Sequence, residues 1–140
     1  MDGGIFACPD GWEFLLPEGV AHLRDMAVCA RRWRLLGLTP TGCRILAGER
    51  VEAELLLAPG DCSLAGFSAG TVVTYGLSPR DSITLSSLTE PVLCVQRALP
   101  LACGGVLEPQ EFPMPGVSAL QTLLPWVGVR LLWTGSPYPL

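Results

Sequence analysis

The chain has 140 residues, of which 49% are hydrophobic and 16% charged, and its formal net charge is −4 at pH 7. That length fits one domain with one core, and the apolar excess excludes a disordered chain. The acidic balance argues against nucleic acid as a partner, because phosphate recognition needs clustered cations.

All nine basic residues are arginines, and neither Lys nor Asn occurs. Schiff-base chemistry, a P-loop lysine and a lysine general base are therefore excluded. Asp2 and Asp10 lie near the start and the first cation is Arg24, so no basic stretch leads into an apolar run as a secretory signal requires. On that footing the six dispersed cysteines (Cys8, Cys29, Cys43, Cys62, Cys94, Cys103) read as buried, reduced thiols of a cytoplasmic protein.

Ile5–Cys8 and Trp12–Leu16 read as short strands around a Pro9-Asp10-Gly11 turn. Pro17 and Glu18 then resemble a helix start, and Met26, Cys29, Ala30, Trp33 and Leu36 recur at helical spacing. Arg31, Arg32 and Arg34 suit the end of a helix dipole and Gly37 a stop, so the pattern predicts a long helix over Glu18–Leu36. Thr39–Gly42 reads as a turn, and Cys43–Leu46 as a short strand or a helix end.

The clearest strands come next. Ala53–Asp61 and Thr71–Gly76 are apolar runs closed by turn residues, as in neighbouring buried strands, and Cys62–Gly70 connects them. After a Leu77–Asp81 loop, Ser82–Ser86 reads as extended. Pro91–Leu99 and Val106–Phe112 predict an antiparallel pair, with Pro109 marking an edge. Val117, Leu120, Leu123, Leu124, Val127 and Leu131 repeat at helical spacing, which predicts a helix over 117–132 that Pro125 kinks or ends. The tail from Thr134 reads as irregular. Phe112–Val129 has the length of a membrane span, but Pro113, Pro115 and Pro125 within it favour a buried amphipathic helix over an anchor.

Motifs for chemistry are sparse. Gly66-Phe67-Ser68-Ala69-Gly70 has the letters of a nucleophile elbow, yet strand residues follow it and the lone histidine, His22, lies upstream. No Cys-x-x-Cys pair, dinucleotide fingerprint or Walker loop is present, and Glu52/Glu54 and Glu108/Glu111 read as solvated faces. No catalytic residue, metal site or cofactor is expected. Asp61, Tyr75, Gly76 and Ser86 remain as weak candidates for a ligand-binding groove at strand ends.

The region from about 52 to 130 resembles the end of the central domain of the Mur ligases, the ATP-dependent amide ligases of peptidoglycan synthesis. Leu55–Asp61 is similar to that domain's strand with an acidic end, and Val72–Gly76 to the next strand. Val92–Phe112 is similar to the antiparallel part that follows, and Met114–Leu120 to the turn opening the last helix. The resemblance implies a single Rossmann-like α/β domain over 1–140, three-layer-like, with a mixed sheet. It also implies loss of catalysis, because Val117 and Ser118 stand where the family has its nucleotide-contacting His and Asn, and the phosphate lysine is missing. The expectation is a bacterial, cytoplasmic, non-catalytic binding or interaction protein that forms a homodimer or meets a protein partner. The alternative is a small nucleotide- or metabolite-binding enzyme or sensor that uses the strand-end groove.

Overall fold

In the computed structural model the described residues are 3–6, 12–87 and 89–138. Their elements are β1 (Gly3–Phe6), a 3-10 turn at Glu13–Leu15, β2 (Val20–Leu23), a 3-10 segment at Met26–Ala30, β3 (Arg32–Leu38) and α1 (Pro40–Ile45). There follow β4 (Val51–Pro59), β5 (Phe67–Tyr75), β6 (Ile83–Ser87), β7 (Val92–Val95), β8 (Leu99–Pro100), β9 (Val106–Leu107), β10 (Gln110–Pro113) and α2 (Leu120–Thr134).

One mixed eight-stranded sheet runs in the order β10-β7-β6-β5-β4-β3-β1-β2, and β8 and β9 form a separate small ladder. From β2 to β6 the neighbours are parallel, while β7 and β10 add antiparallel pairs at the far edge. The α/β class and mixed sheet agree with the sequence, and so does the pairing of 92–95 with 110–113. Pro109 directly precedes the edge strand β10.

β4 and β5 form the longest parallel ladder, from Val51↔Phe67 to Pro59↔Tyr75. Only residues 60–66 separate them, so the return segment must run nearly extended along the sheet (~3.3 Å per residue). It packs Cys62 and Leu64 onto a core that includes Phe6, Trp33, Leu36, Leu38, Cys43, Leu46 and Leu56. α2 covers the opposite face, against Ile5, Leu35, Leu55, Leu57, Val73, Ile83, Leu93 and Val95. The 3-10 turn at Leu15 and the β8–β9 ladder pack on this same core, which explains why α2 is apolar on nearly every side. Phe112–Val129 thus divides among the end of β10, a connection over 114–119 and a buried helix, and among the described residues no helix is long and apolar enough to cross a membrane.

The long helix expected over Glu18–Leu36 is absent. β2, the 3-10 segment and β3 occupy that stretch. The helical spacing was coincidental: Met26 and Ala30 are exposed, whereas Leu35, Leu36, Gly37 and Leu38 form a run buried on both faces, the mark of an interior parallel strand. Gly37 is no helix stop either. Its missing side chain admits Val129 of α2, which a Cβ there would strike.

Smaller corrections follow the same pattern. Trp12–Leu16 holds a 3-10 turn (Glu13–Leu15) rather than a strand: Trp12, Glu13 and Phe14 are exposed, Leu15 is buried and Leu16 packs partly buried beside it, with no alternation of faces. β1 lies at Gly3–Phe6, while Cys8 and the Pro9-Asp10-Gly11 turn fall outside the described residues. Thr39–Gly42 opens α1, because the Thr39 hydroxyl accepts a hydrogen bond from Gly42 N at 3.0 Å and Pro40 fits the first turn. Cys43–Leu46 is therefore the helical alternative. α2 runs from 120 to 134 and continues through Pro125.

Candidate functional site

The parallel strands β3, β4 and β5 end at Leu38, Pro59 and Tyr75, and the carboxyl ends of β4 and β5 form the floor of a cleft of about 580 Å³. Pro40 of α1, the β5–β6 connection from Gly76 to Asp81, and Gln121 and Leu124 of α2 form its walls. β6 pairs with β5 only at Tyr75↔Ile83, so the sheet steps here and leaves room beyond β5. Carboxyl ends of parallel strands are where open α/β sheets take ligands, because the connecting loops are free to vary there.

Asp81 organises the connection. The residue is 5% exposed, and its Oδ2 accepts from Ser78 N at 3.1 Å. Its own N–H donates to Ser78 O at 3.0 Å, closing the Ser78-Pro79-Arg80-Asp81 turn. The carboxylate lies against two glycines. A Cβ at Gly60 would collide with Oδ1, and one at Gly76 would stand 2.5 Å from Oδ2.

Behind the turn, Gln96 Nε2 donates to the carbonyls of Pro79 and Asp81, and Arg97 Nη1 donates to Arg80 O at 3.0 Å. Asp81, Gln96 and Arg97 thus all hydrogen-bond to the backbone of this turn. The cleft presents the exposed Asp61, the buried Asp81 and the exposed Arg80 at its margin.

Three of the four residues expected at a groove lie in this one place: Asp61, Tyr75 and Gly76. Ser86 lies on β6, exposed, and is not among the lining residues. Tyr75 contributes its ring alone, since its hydroxyl is buried and donates to Leu38 O at 2.6 Å. Burial drives its phenol well above the ordinary range, and the nearby Cys62, Cys43 and Asp61 add to the shift, so it stays protonated.

The sequence reading passed over Asp81, Gly60, Ser78 and Gln121. A signal existed for Asp81: a Pro at the second position of a four-residue turn, with Ser and Asp at its ends, is side-chain-capped turn chemistry. Gln121 carried none, because only tertiary packing brings α2 to the strand ends.

Other sequence features lie elsewhere. Ser68 is a residue of β5, not the apex of a strand-to-helix turn, so the geometry a nucleophile elbow needs is missing there. His22 is on β2, not on a helix. Its Nδ1 stands 3.3 Å from Glu13 Oε1 and its ring 5.5 Å from that of Trp126. Among the described residues no cluster of three or more His, Cys, Asp or Glu side chains is arranged to hold a metal ion. Comparison with protein-family models, curated proteins and solved structures yields no match for this chain.

Proposed function

We propose that this chain is a non-catalytic binding protein whose ligand, a small polar metabolite, sits in the cleft at the ends of β4 and β5. The observation that carries this reading is the fixed Asp81 turn. Two glycines, Ser78, Gln96 and Arg97 hold a mostly buried carboxylate and its loop in one arrangement beside an open cavity. Such preorganisation lowers the cost of ordering a site when a ligand arrives. Hydroxyl or amino groups on the ligand would meet Asp61 and Asp81, and an anionic group would meet Arg80 at the margin.

The absence of a catalytic role in this reading rests on the state of the polar groups. Tyr75 has spent its hydroxyl on Leu38, Ser78 Oγ accepts from Arg80 N at 3.1 Å, and Asp81 Oδ2 accepts from the Ser78 amide and not from its hydroxyl. Descent from a Mur ligase-like central domain is part of the proposal. The succession β4, β5, antiparallel β7 and β10, then α2 supports it, and it makes nucleotides and nucleotide sugars the first ligands to try.

The test is thermal unfolding of the full chain with ATP, ADP or a UDP-sugar, each with Mg²⁺. A ligand at 100 times its dissociation constant adds about 2.7 kcal/mol, a readable rise in midpoint. The proposal expects a rise that shrinks in Asp61→Ala, an exposed position whose replacement leaves the unliganded protein within about 0.5 kcal/mol of the parent. An equal rise in the variant, or none at millimolar ligand, would overturn it.

A further inference from the structure

Beside the cleft, and sharing Asp61 with it, a second cavity of about 220 Å³ is lined by Cys43, Arg44, Ala47, Asp61, Cys62 and Ser63. Two cysteines from separate elements meet here. Cys43 is on α1 and 1% exposed, while Cys62 is on the return segment and half-buried. Both side chains line this one cavity and pack in the same core cluster, and Cys43 Sγ lies 3.8 Å from the carbonyl of Ser63, the neighbour of Cys62. Both are free thiols in this structure.

The chain geometry brings the pair together for a reason. The short connection between two parallel strands must run back across the face that α1 covers, which lays Cys62 over the helix.

We propose that Cys43 and Cys62 form a redox-active dithiol that a hydroperoxide converts to an intramolecular disulfide. Cys62 reacts first, since it is the more accessible of the two. Burial, the contact with Cys62 and the nearby carboxylate push the Cys43 thiol up to about 12, which keeps it protonated and unreactive towards outside oxidants. The Cys62 thiolate attacks one peroxide oxygen, the O–O bond breaks, and a sulfenic acid forms with release of hydroxide. Cys43 sulfur then displaces the sulfenic oxygen, and its thiol proton leaves with that oxygen as water. Two thiols and one hydrogen peroxide become one disulfide and two waters.

The link would tie the return segment to α1. Because Asp61 lines both cavities, it would also restrain the margin of the larger cleft.

The experiment treats the reduced full chain with hydrogen peroxide, alkylates the remaining thiols and maps peptides by mass spectrometry without reduction. The expected product is a peptide pair joined through Cys43 and Cys62, two hydrogens lighter than the sum of its parts and absent in Cys62→Ser. If Cys62 over-oxidises or pairs with another cysteine while Cys43 remains alkylatable, the proposal is overturned. The mapping on the parent protein needs no variant to fold, and it reads the sulfurs alone, so it stands apart from whether the cleft binds a metabolite.

Discussion

Single side chains carry most of the account at the strand ends. Tyr75 shows how a residue can line a cleft and yet be structural, because its hydroxyl completes the buried carbonyl of Leu38. Tyr75→Phe leaves that acceptor unpaired and should lower stability by about 1–2 kcal/mol, read as a lower denaturant midpoint with an unchanged slope. Titration supplies an independent check on the same neighbourhood. The Cys43 thiol is raised from 9.0 to about 12 in the folded chain, so below pH 9 both states keep the proton and its contribution is intact. Above pH 9 the unfolded state releases the proton and the folded state does not, so stability must fall as pH rises towards 12. Tyr75 shifts in the same direction and adds to that loss. Melting curves from pH 8 to pH 11 should therefore decline, and Cys43→Ser should flatten the decline.

Whole elements depend on close approach. α2 meets the sheet through reciprocal notches, with Gly37 of β3 receiving Val129 and Gly128 of α2 receiving Leu57, where a Cβ would stand 2.7 Å from Leu57 Cδ2. Gly37→Ala should cost about 1–3 kcal/mol by overpacking, measurable in urea unfolding. A change near zero would mean that α2 sits farther from β3 than described.

The same glycine marks the limit of what the residues revealed. Val51–Pro59 and Phe67–Tyr75 were legible because their apolar runs end in Pro, Gly and Asp. The first of these lost only its boundaries, and the second began four residues earlier than read. Glu18–Leu36 was misread because buried parallel strands lack alternation, and the Leu35–Leu38 run is compatible with either period. The C-terminal helix was legible to within a few residues despite Pro125. Pro125 has no N–H to give to the Gln121 carbonyl, so one helical hydrogen bond is lost there, yet burial of Leu123, Leu124, Val127 and Leu131 keeps the helix continuous.

The molecule as a whole is asymmetric. One sheet face is covered by α2 and the segments above it, the other by α1 and the return segment. The strand-end cleft opens where α1, α2 and the β5–β6 connection converge. Asp61, Tyr75 and Gly76 could be named as groove residues from strand-end position alone. Asp81 could not be ranked among them until the fold set its carboxylate against Gly60 and Gly76. Gly60→Ala should displace that carboxylate and weaken any ligand of the cleft more than it lowers the melting midpoint, a split that titration calorimetry and thermal unfolding read together.

The measurement that bears most directly on the binding reading is a two-dimensional amide spectrum of the full chain, titrated with ADP and with a UDP-sugar in the presence of Mg²⁺. Saturable shifts confined to Gly60, Asp61, Gly76, Ser78, Arg80, Asp81 and Gln121 are the predicted result. Shifts centred on the β2 or β10 edge, or none at millimolar ligand, would contradict it.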